Sequence, residues 1–169
     1  MDSEVTSVPL VRDVILTPLR ALADRRGAVL HMLRADAPEF VRFGECYFSE
    51  VRPGAIKAWK CHRLQTQNIA VPVGRIRLVI YDDRESSPTR SALQVLELGR
   101  PDAYLRVRIP PGLWYGFACL GDQAALLANC ADMPHDPADS LVRPEDDPAI
   151  PFAWRQSDQG RPRPGQVGG

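Results

Sequence analysis

The stretch Arg75-Ile76-Arg77-Leu78-Val79-Ile80-Tyr81 alternates with a period of two and places Ile76, Leu78 and Ile80 on one face. Successive side chains of a strand point to opposite faces, so it reads as a half-buried β-strand and not as a helix. Tyr104-Leu105-Arg106-Val107-Arg108-Ile109 repeats the pattern, with Leu105, Val107 and Ile109 on one side and two arginines on the other. Segments 28–34, 45–52, 55–61, 67–73, 93–98, 113–120 and 124–130 have the same strand character. Between them, 16 prolines and 12 glycines punctuate the chain, which works against long helices. Roughly nine short strands with turn residues every 8–12 positions are the pattern of a β-sandwich, jelly roll or barrel. A short helix is expected only near residues 36–40.

The 169 residues suit one domain with a core large enough to fold without staples. Lysine plus arginine and aspartate plus glutamate both total 21, so the formal net charge is zero. Neutrality removes the drive for non-specific binding to nucleic acid or an anionic membrane, and neither is expected as a partner. No apolar run approaches the roughly 20 residues of a membrane span. Met1-Asp2-Ser3-Glu4 is acidic with no apolar signal core behind it, which points to a cytoplasmic protein. Cys46, Cys61, Cys119 and Cys130 form no C-x-x-C pair and are expected as reduced thiols. The chain divides into an N-terminal arm (1–12), a domain (13–154) and a tail (155–169) that offers almost nothing to bury and is expected to be disordered.

Two segments marked by glycine and proline carry the chemistry. Gly54-Ala55-Ile56-Lys57-Ala58-Trp59-Lys60-Cys61-His62-Arg63-Leu64-Gln65-Thr66-Gln67, closed by Gly74, resembles the first cupin motif. Lys60 and His62 stand at its two metal-ligand positions and Gln67 at its carboxylate position. Pro110-Pro111-Gly112-Leu113-Trp114-Tyr115-Gly116-Phe117 resembles the second motif, with Tyr115 where a histidine ligand would sit. A first-row metal in such a site wants imidazoles and a carboxylate, whereas these positions offer one imidazole, one amine, one amide and one phenol. No metal is expected, because a lysine ammonium repels a divalent ion unless it is deprotonated.

The finer resemblance is to the dTDP-4-dehydrorhamnose 3,5-epimerase family, the sugar-nucleotide branch of the cupins. Asp24-Arg25-Arg26-Gly27 is similar to its D-x-R-G element, and Asp82-Asp83-Arg84-Glu85-Ser86-Ser87-Pro88-Thr89 to its D-x-R-x-x-S-P-T stretch. Ile109 to Phe117 resembles its I-P-x-G-F-A-H-G-F pattern, and Asp147-Pro148-Ala149-Ile150-Pro151-Phe152-Ala153-Trp154 its closing D-P-x-I-x-I-x-W. The four occur in the family's order and cover roughly residues 13–154. The resemblance implies an all-β cupin jelly-roll barrel. It also implies a homodimer with exchanged N-terminal strands, no cofactor, and epimerase or isomerase activity on a dTDP-4-keto-6-deoxyhexose or similar nucleotide sugar.

In that family a histidine backed by an aspartate removes a proton beside the C4 keto group, and a tyrosine across the ring returns one. Carried over by position, the carboxylate is Asp147, the base histidine becomes Lys60, and the acid tyrosine falls on Ala128, which cannot donate a proton. Three groups could take over. Lys60 could act as base if partly desolvated near Asp147. His62 points to the same strand face, and Tyr115 could serve as acid or enolate donor. The plainer readings stand beside these: Lys60 as a salt-bridge partner of Asp147, His62 as a hydrogen-bonded lining residue, and Trp59, Trp114 and Trp154 as core. Arg26, Lys57 and Arg75 are candidate counter-charges for the diphosphate, and Gln67 and Asn129 candidate polar contacts for substrate. The rival functions are a cupin enzyme acting on a non-sugar metabolite and an inactive ligand-binding homologue.

Overall fold

Period-two alternation becomes strand throughout the described residues, 10–155 of the chain, in a computed structural model. The strands are β1 (Ile15–Pro18), β2 (Ala21–Asp24), β3 (Gly27–Leu30), β4 (Glu45–Val51), β5 (Ile56–His62) and β6 (Gln67–Val73). They continue as β7 (Arg75–Asp82), β8 (Leu93–Gly99), β9 (Leu105–Ile109), β10 (Leu113–Cys119), β11 (Ala125–Ala131) and β12 (Ser140–Val142). Each of the nine expected segments holds a strand. Strands β1, β2 and β12 were not expected: they have three or four residues each, too few to show a period. The expected helix at 36–40 is instead a pair of turns, closed by Ala37 N–H to Arg34 C=O (3.2 Å) and Phe40 N–H to Ala37 C=O (3.0 Å). Pro38 lacks the N–H that a helix would need there. Most of the expected arm and tail lies outside the described residues, and no helix among those residues is long and apolar enough to cross a membrane.

Two five-stranded antiparallel sheets face each other, ordered β1-β9-β6-β11-β4 and β12-β5-β10-β7-β8. Without the edge additions β1 and β12, the orders are those of an eight-stranded jelly roll. β2 and β3 form a separate hairpin. Between the sheets lies the main core, which includes Val51, Ile69, Ile76, Leu78, Val107 and Leu127. Here the inward parity of each strand is apolar, as the alternation of β7 and β9 requires.

The sequence reads β7 as buried on one face, but from Leu78 onward both faces are buried. The reason is the closing segment, whose Ile150 and Trp154 pack with Trp59, Val79, Tyr81 and Trp114 on the outer face of the second sheet. Trp59 and Trp154 lie with ring centroids 5.1 Å apart. Gly116 makes this approach possible: a Cβ there would fall 2.5 Å from Ala58 Cβ and 2.9 Å from Trp154 Cζ2. The Asp82–Thr89 stretch is also structural. Asp82 has no exposed surface and accepts from Arg84 Nε (3.0 Å) and Nη2 (2.9 Å), Ser87 Oγ (2.6 Å) and Thr89 Oγ1 (2.7 Å). The loop after β7 is thereby tied to the strand's end.

Candidate functional site

β5 and β10 pair with Tyr115 opposite Lys60 and Phe117 opposite Lys57, so Ala58 and Trp59 together face the single Gly116. This bulge bends β5 and re-aims its side chains. Trp59 here exchanges both backbone hydrogen bonds with Arg143, 2.9 and 3.1 Å. Beside the bulge, between the sheets, is a cavity of ≈ 380 Å³. One wall carries Lys57, Trp59, Lys60, Tyr115 and Phe117 from the second sheet, and the other Tyr47, Ser49, Ile69, Leu127 and Asn129 from the first.

Behind Tyr115 stands a buried relay. The Tyr115 hydroxyl lies 3.2 Å from His62 Nε2, and His62 Nδ1 lies 3.1 Å from Asp139 Oδ2. Asp139 also accepts the backbone N–H of Leu64 at Oδ1 (2.7 Å) and of Gln65 at Oδ2 (3.2 Å). Burial pushes the Asp139 carboxyl up, but the Leu64 N–H, His62 and the Gln65 N–H outweigh it, and the carboxylate is held below its ordinary range. Burial lowers the His62 pKa, only partly offset by Asp139, so the imidazole is neutral. These facts fix the protons. An ionised carboxylate accepts only, so Nδ1 carries the hydrogen; Nε2 is then an acceptor, and Tyr115 donates to it. The phenol oxygen is left with its lone pairs free, and burial raises its pKa.

On the facing wall a second network runs through amides. Asn129 Nδ2 donates to the Tyr47 hydroxyl (2.8 Å) and, in a short bond, to Gln67 Oε1. Gln67 Nε2 donates to Gln65 Oε1 (2.8 Å), and Gln65 Nε2 donates to the Met133 carbonyl (2.6 Å). Asn129 Oδ1 accepts the backbone N–H of Asn68 at 3.1 Å.

The candidates read from the sequence fall into three groups. Lys57, Lys60, Tyr115 and Asn129 line the cavity, although Lys57 Nζ already donates to Ser49 Oγ (2.8 Å) and Glu50 C=O (2.7 Å). His62 and Gln67 lie one layer behind, each buried and bonded to a lining residue. Asp147, Arg26 and Arg75 are elsewhere. Asp147 lies 3.9 Å from Arg143 Nε, accepts from Ala149 N–H (2.8 Å) and borders a separate surface cavity, so it does not pair with Lys60. Arg26 is held by Asp24 (2.6 Å) on the exposed hairpin, and Arg75 by Glu97 (3.2 Å) across β7 and β8. In each case a neighbouring carboxylate captures the cation. Ala128 does not line the cavity; its neighbours Leu127 and Asn129 do.

Sequence reasoning missed Asp139, Tyr47 and Gln65. Asp139 belongs to no motif and reaches His62 only because β12 pairs Ser140 with His62. Tyr47 could have been found, since Tyr47, Ser49 and Val51 share the inward parity of β4. The positions that hold metal in other cupins do not fit an ion here. His62 spends both ring nitrogens on Asp139 and Tyr115, and Lys60 brings a cation. No group of three or more His, Cys, Asp or Glu side chains suited to a metal occurs among the described residues.

Comparison with known proteins agrees with this architecture. The family model described as dTDP-4-dehydrorhamnose 3,5-epimerase matches residues 9–164. The probable low-salt glycan biosynthesis epimerase Agl13 of Haloferax volcanii is 37% identical over 124 residues, covering 72% of this chain and 79% of the relative. The spore coat polysaccharide biosynthesis protein SpsL of Bacillus subtilis is 30% identical over 147 residues, covering 86% and 97%. Among solved structures, a dTDP sugar isomerase from Desulfovibrio desulfuricans superposes with a TM-score of 0.87 at 54% identity, covering 88% of this chain and 95% of that one. The chain belongs to the dTDP-4-dehydrorhamnose 3,5-epimerase family, and its fold is that family's all-β cupin jelly roll.

Proposed function

We propose that this member of the dTDP-4-dehydrorhamnose 3,5-epimerase family is a cofactor-independent epimerase or isomerase of a dTDP-4-keto-6-deoxyhexose or similar nucleotide sugar. The observation that carries the reading is the Tyr115–His62–Asp139 relay, which presents an unprotonated phenol lone pair to a cavity that also holds Lys57 and Lys60. A proton beside a ketone is acidic only if the enolate is stabilised as it forms. Tyr115 takes that proton while its own passes to His62 Nε2, and the imidazolium so formed rests against the Asp139 carboxylate. Lys60, on the same wall, supplies positive charge for the enolate oxygen. The Lys57 ammonium, anchored to Ser49 and Glu50, suits the diphosphate.

The base of this scheme is neither Lys60 beside Asp147 nor His62 acting directly on the substrate; the tyrosine in the second motif works through His62. Exposed Val41, Phe43 and Phe48 beside the edge strand β4, with Leu22 and Val29 on the β2–β3 hairpin, support a homodimer, since such apolar surface is usually covered.

The test is incubation with a dTDP-4-keto-6-deoxyhexose in deuterated water, followed by NMR. Wild-type protein incorporates deuterium at C3 or C5 and forms inverted product; Tyr115→Phe slows both by about 10²-fold or more. Binding of dTDP with no exchange would instead mark an inactive homologue. Neither binding nor exchange would point to a non-sugar substrate.

A further inference from the structure

We infer that Tyr47 is the proton donor of this reaction, held with its hydroxyl hydrogen toward the cavity by a polarised chain of side-chain amides. The inference rests on the epimerase reading and deepens it.

Epimerisation takes a proton from one face of a planar enolate and delivers another to the opposite face. The donor must therefore stand across the cavity from Tyr115. Lys60 does not meet that condition, because it lies on the strand beside Tyr115, directly opposite it in the ladder. The facing wall offers two hydroxyls, those of Ser49 and Tyr47. Ser49 Oγ accepts from the Lys57 ammonium, which leaves its hydrogen free as well, but an aliphatic alcohol is a far weaker acid than a phenol. Tyr47 remains. It pairs in the ladder with Asn129, one residue beyond Ala128, where the resemblance placed the missing acid. A tyrosine from the neighbouring strand thus stands close to the vacated position.

The direction of the Tyr47 hydroxyl follows from the backbone. At one end of the amide chain the Asn68 N–H can only donate, so the Asn129 atom facing it is oxygen and its Nδ2 faces Tyr47. At the other end the Met133 carbonyl can only accept, so Gln65 presents its amide nitrogen there and its oxygen to Gln67. Gln67 then turns its own oxygen to Asn129 Nδ2. Both ends demand the same polarity, and no amide in the chain can flip without leaving a buried group unpaired. The Tyr47 oxygen therefore accepts from Asn129, and its hydrogen is free for the cavity. Tyr115 is set the opposite way, its hydrogen committed to His62. Two chemically identical side chains thereby become an acceptor and a donor.

The step balances. The Tyr47 O–H bond breaks as the new C–H bond forms, and the enolate electron pair becomes that bond. The phenolate left behind keeps the hydrogen bond from Asn129 and regains a proton from solvent, since Tyr47 is 39% exposed. The proton held on His62 returns through Tyr115 to cavity water.

The experiment compares wild type and Tyr47→Phe with a dTDP-4-keto-6-deoxyhexose in deuterated water, with dTDP titration as the binding control. The variant should bind dTDP within about threefold of wild type and still exchange the substrate hydrogen with retention of configuration, because Tyr115 is intact. Formation of inverted product should fall about 10²-fold or more. Inversion within tenfold of wild type overturns the donor assignment, as does a parallel loss of exchange and inversion. Wild-type protein that neither exchanges nor inverts overturns the epimerase reading itself, and the role of Tyr47 with it.

Discussion

Asp139→Asn tests the relay at the residue that sets its proton positions. In the native site the carboxylate accepts three hydrogen bonds, from Leu64 N–H, Gln65 N–H and His62 Nδ1–H, at 2.7, 3.2 and 3.1 Å. The amide can keep its oxygen on the shortest of these, which turns its NH₂ toward Gln65 N–H and His62. The imidazole then accepts at Nδ1 and carries its hydrogen at Nε2, so Tyr115 must accept from it and point its own hydrogen into the cavity. The acceptor becomes a donor and cannot take a proton from carbon. Replacing the orienting carboxylate of a serine-protease triad by its amide costs about 10⁴ in turnover through the same tautomer reversal, and a loss of roughly 10²–10⁴ is expected here.

Stability falls less. One buried N–H loses its partner, at about 1–3 kcal/mol, which in a chain of this size lowers Tm by roughly 2–12 °C. The assay is the deuterium exchange rate alongside a circular dichroism melt and dTDP binding. Exchange within threefold of wild type, in a folded variant that still binds dTDP, would refute the relay and leave Asp139 as a clasp for the 62–66 turn.

Two further outcomes follow from the charges. Burial depresses the folded pKa of His62 below the ordinary value of about 6.5, so kcat/KM should stay level through that pH and fall only below it. Over the same acidic window stability also declines, because the unfolded chain takes up a proton before the folded one does; an activity limb at or above pH 6.5 would contradict this. Asp82→Ala removes a fully buried carboxylate that ties Arg84, Ser87 and Thr89 to the end of β7. Since Arg84 keeps 25% of its side chain in water, the loss should be about 3 kcal/mol in urea unfolding. The exchange rate per folded molecule should not change, and a selective loss of catalysis would show that the loop reaches the substrate.

Period-two patterning located the strands because a side chain's face follows from its position in the segment. Burial of β7 on both faces was not legible, since it depends on Ile150 and Trp154 returning from a distant part of the chain. At the site, Lys60, His62 and Tyr115 were legible from motif spacing, which the β5–β10 ladder turns into proximity. Their carboxylate was not. The motif pointed to Asp147, but Arg143 lies beside that residue in space, and the carboxylate that reaches His62 arrives by way of β12. Arg26 and Arg75 do not line this chain's cavity, for a simpler reason. Asp24 is two residues from one and Glu97 lies across the ladder from the other, and both pairs satisfy their charges locally.

Gln65 belongs to both networks. Its backbone N–H holds Asp139 behind Tyr115, and its side chain sits in the row that ends at Tyr47. The two walls of the cavity are thus linked through one residue that does not line it. Substitutions at Tyr47 on β4 and at Asp139 in the turn before β12 should for that reason show coupled free energies in a double-mutant cycle, and the coupling should vanish once Gln65 is replaced.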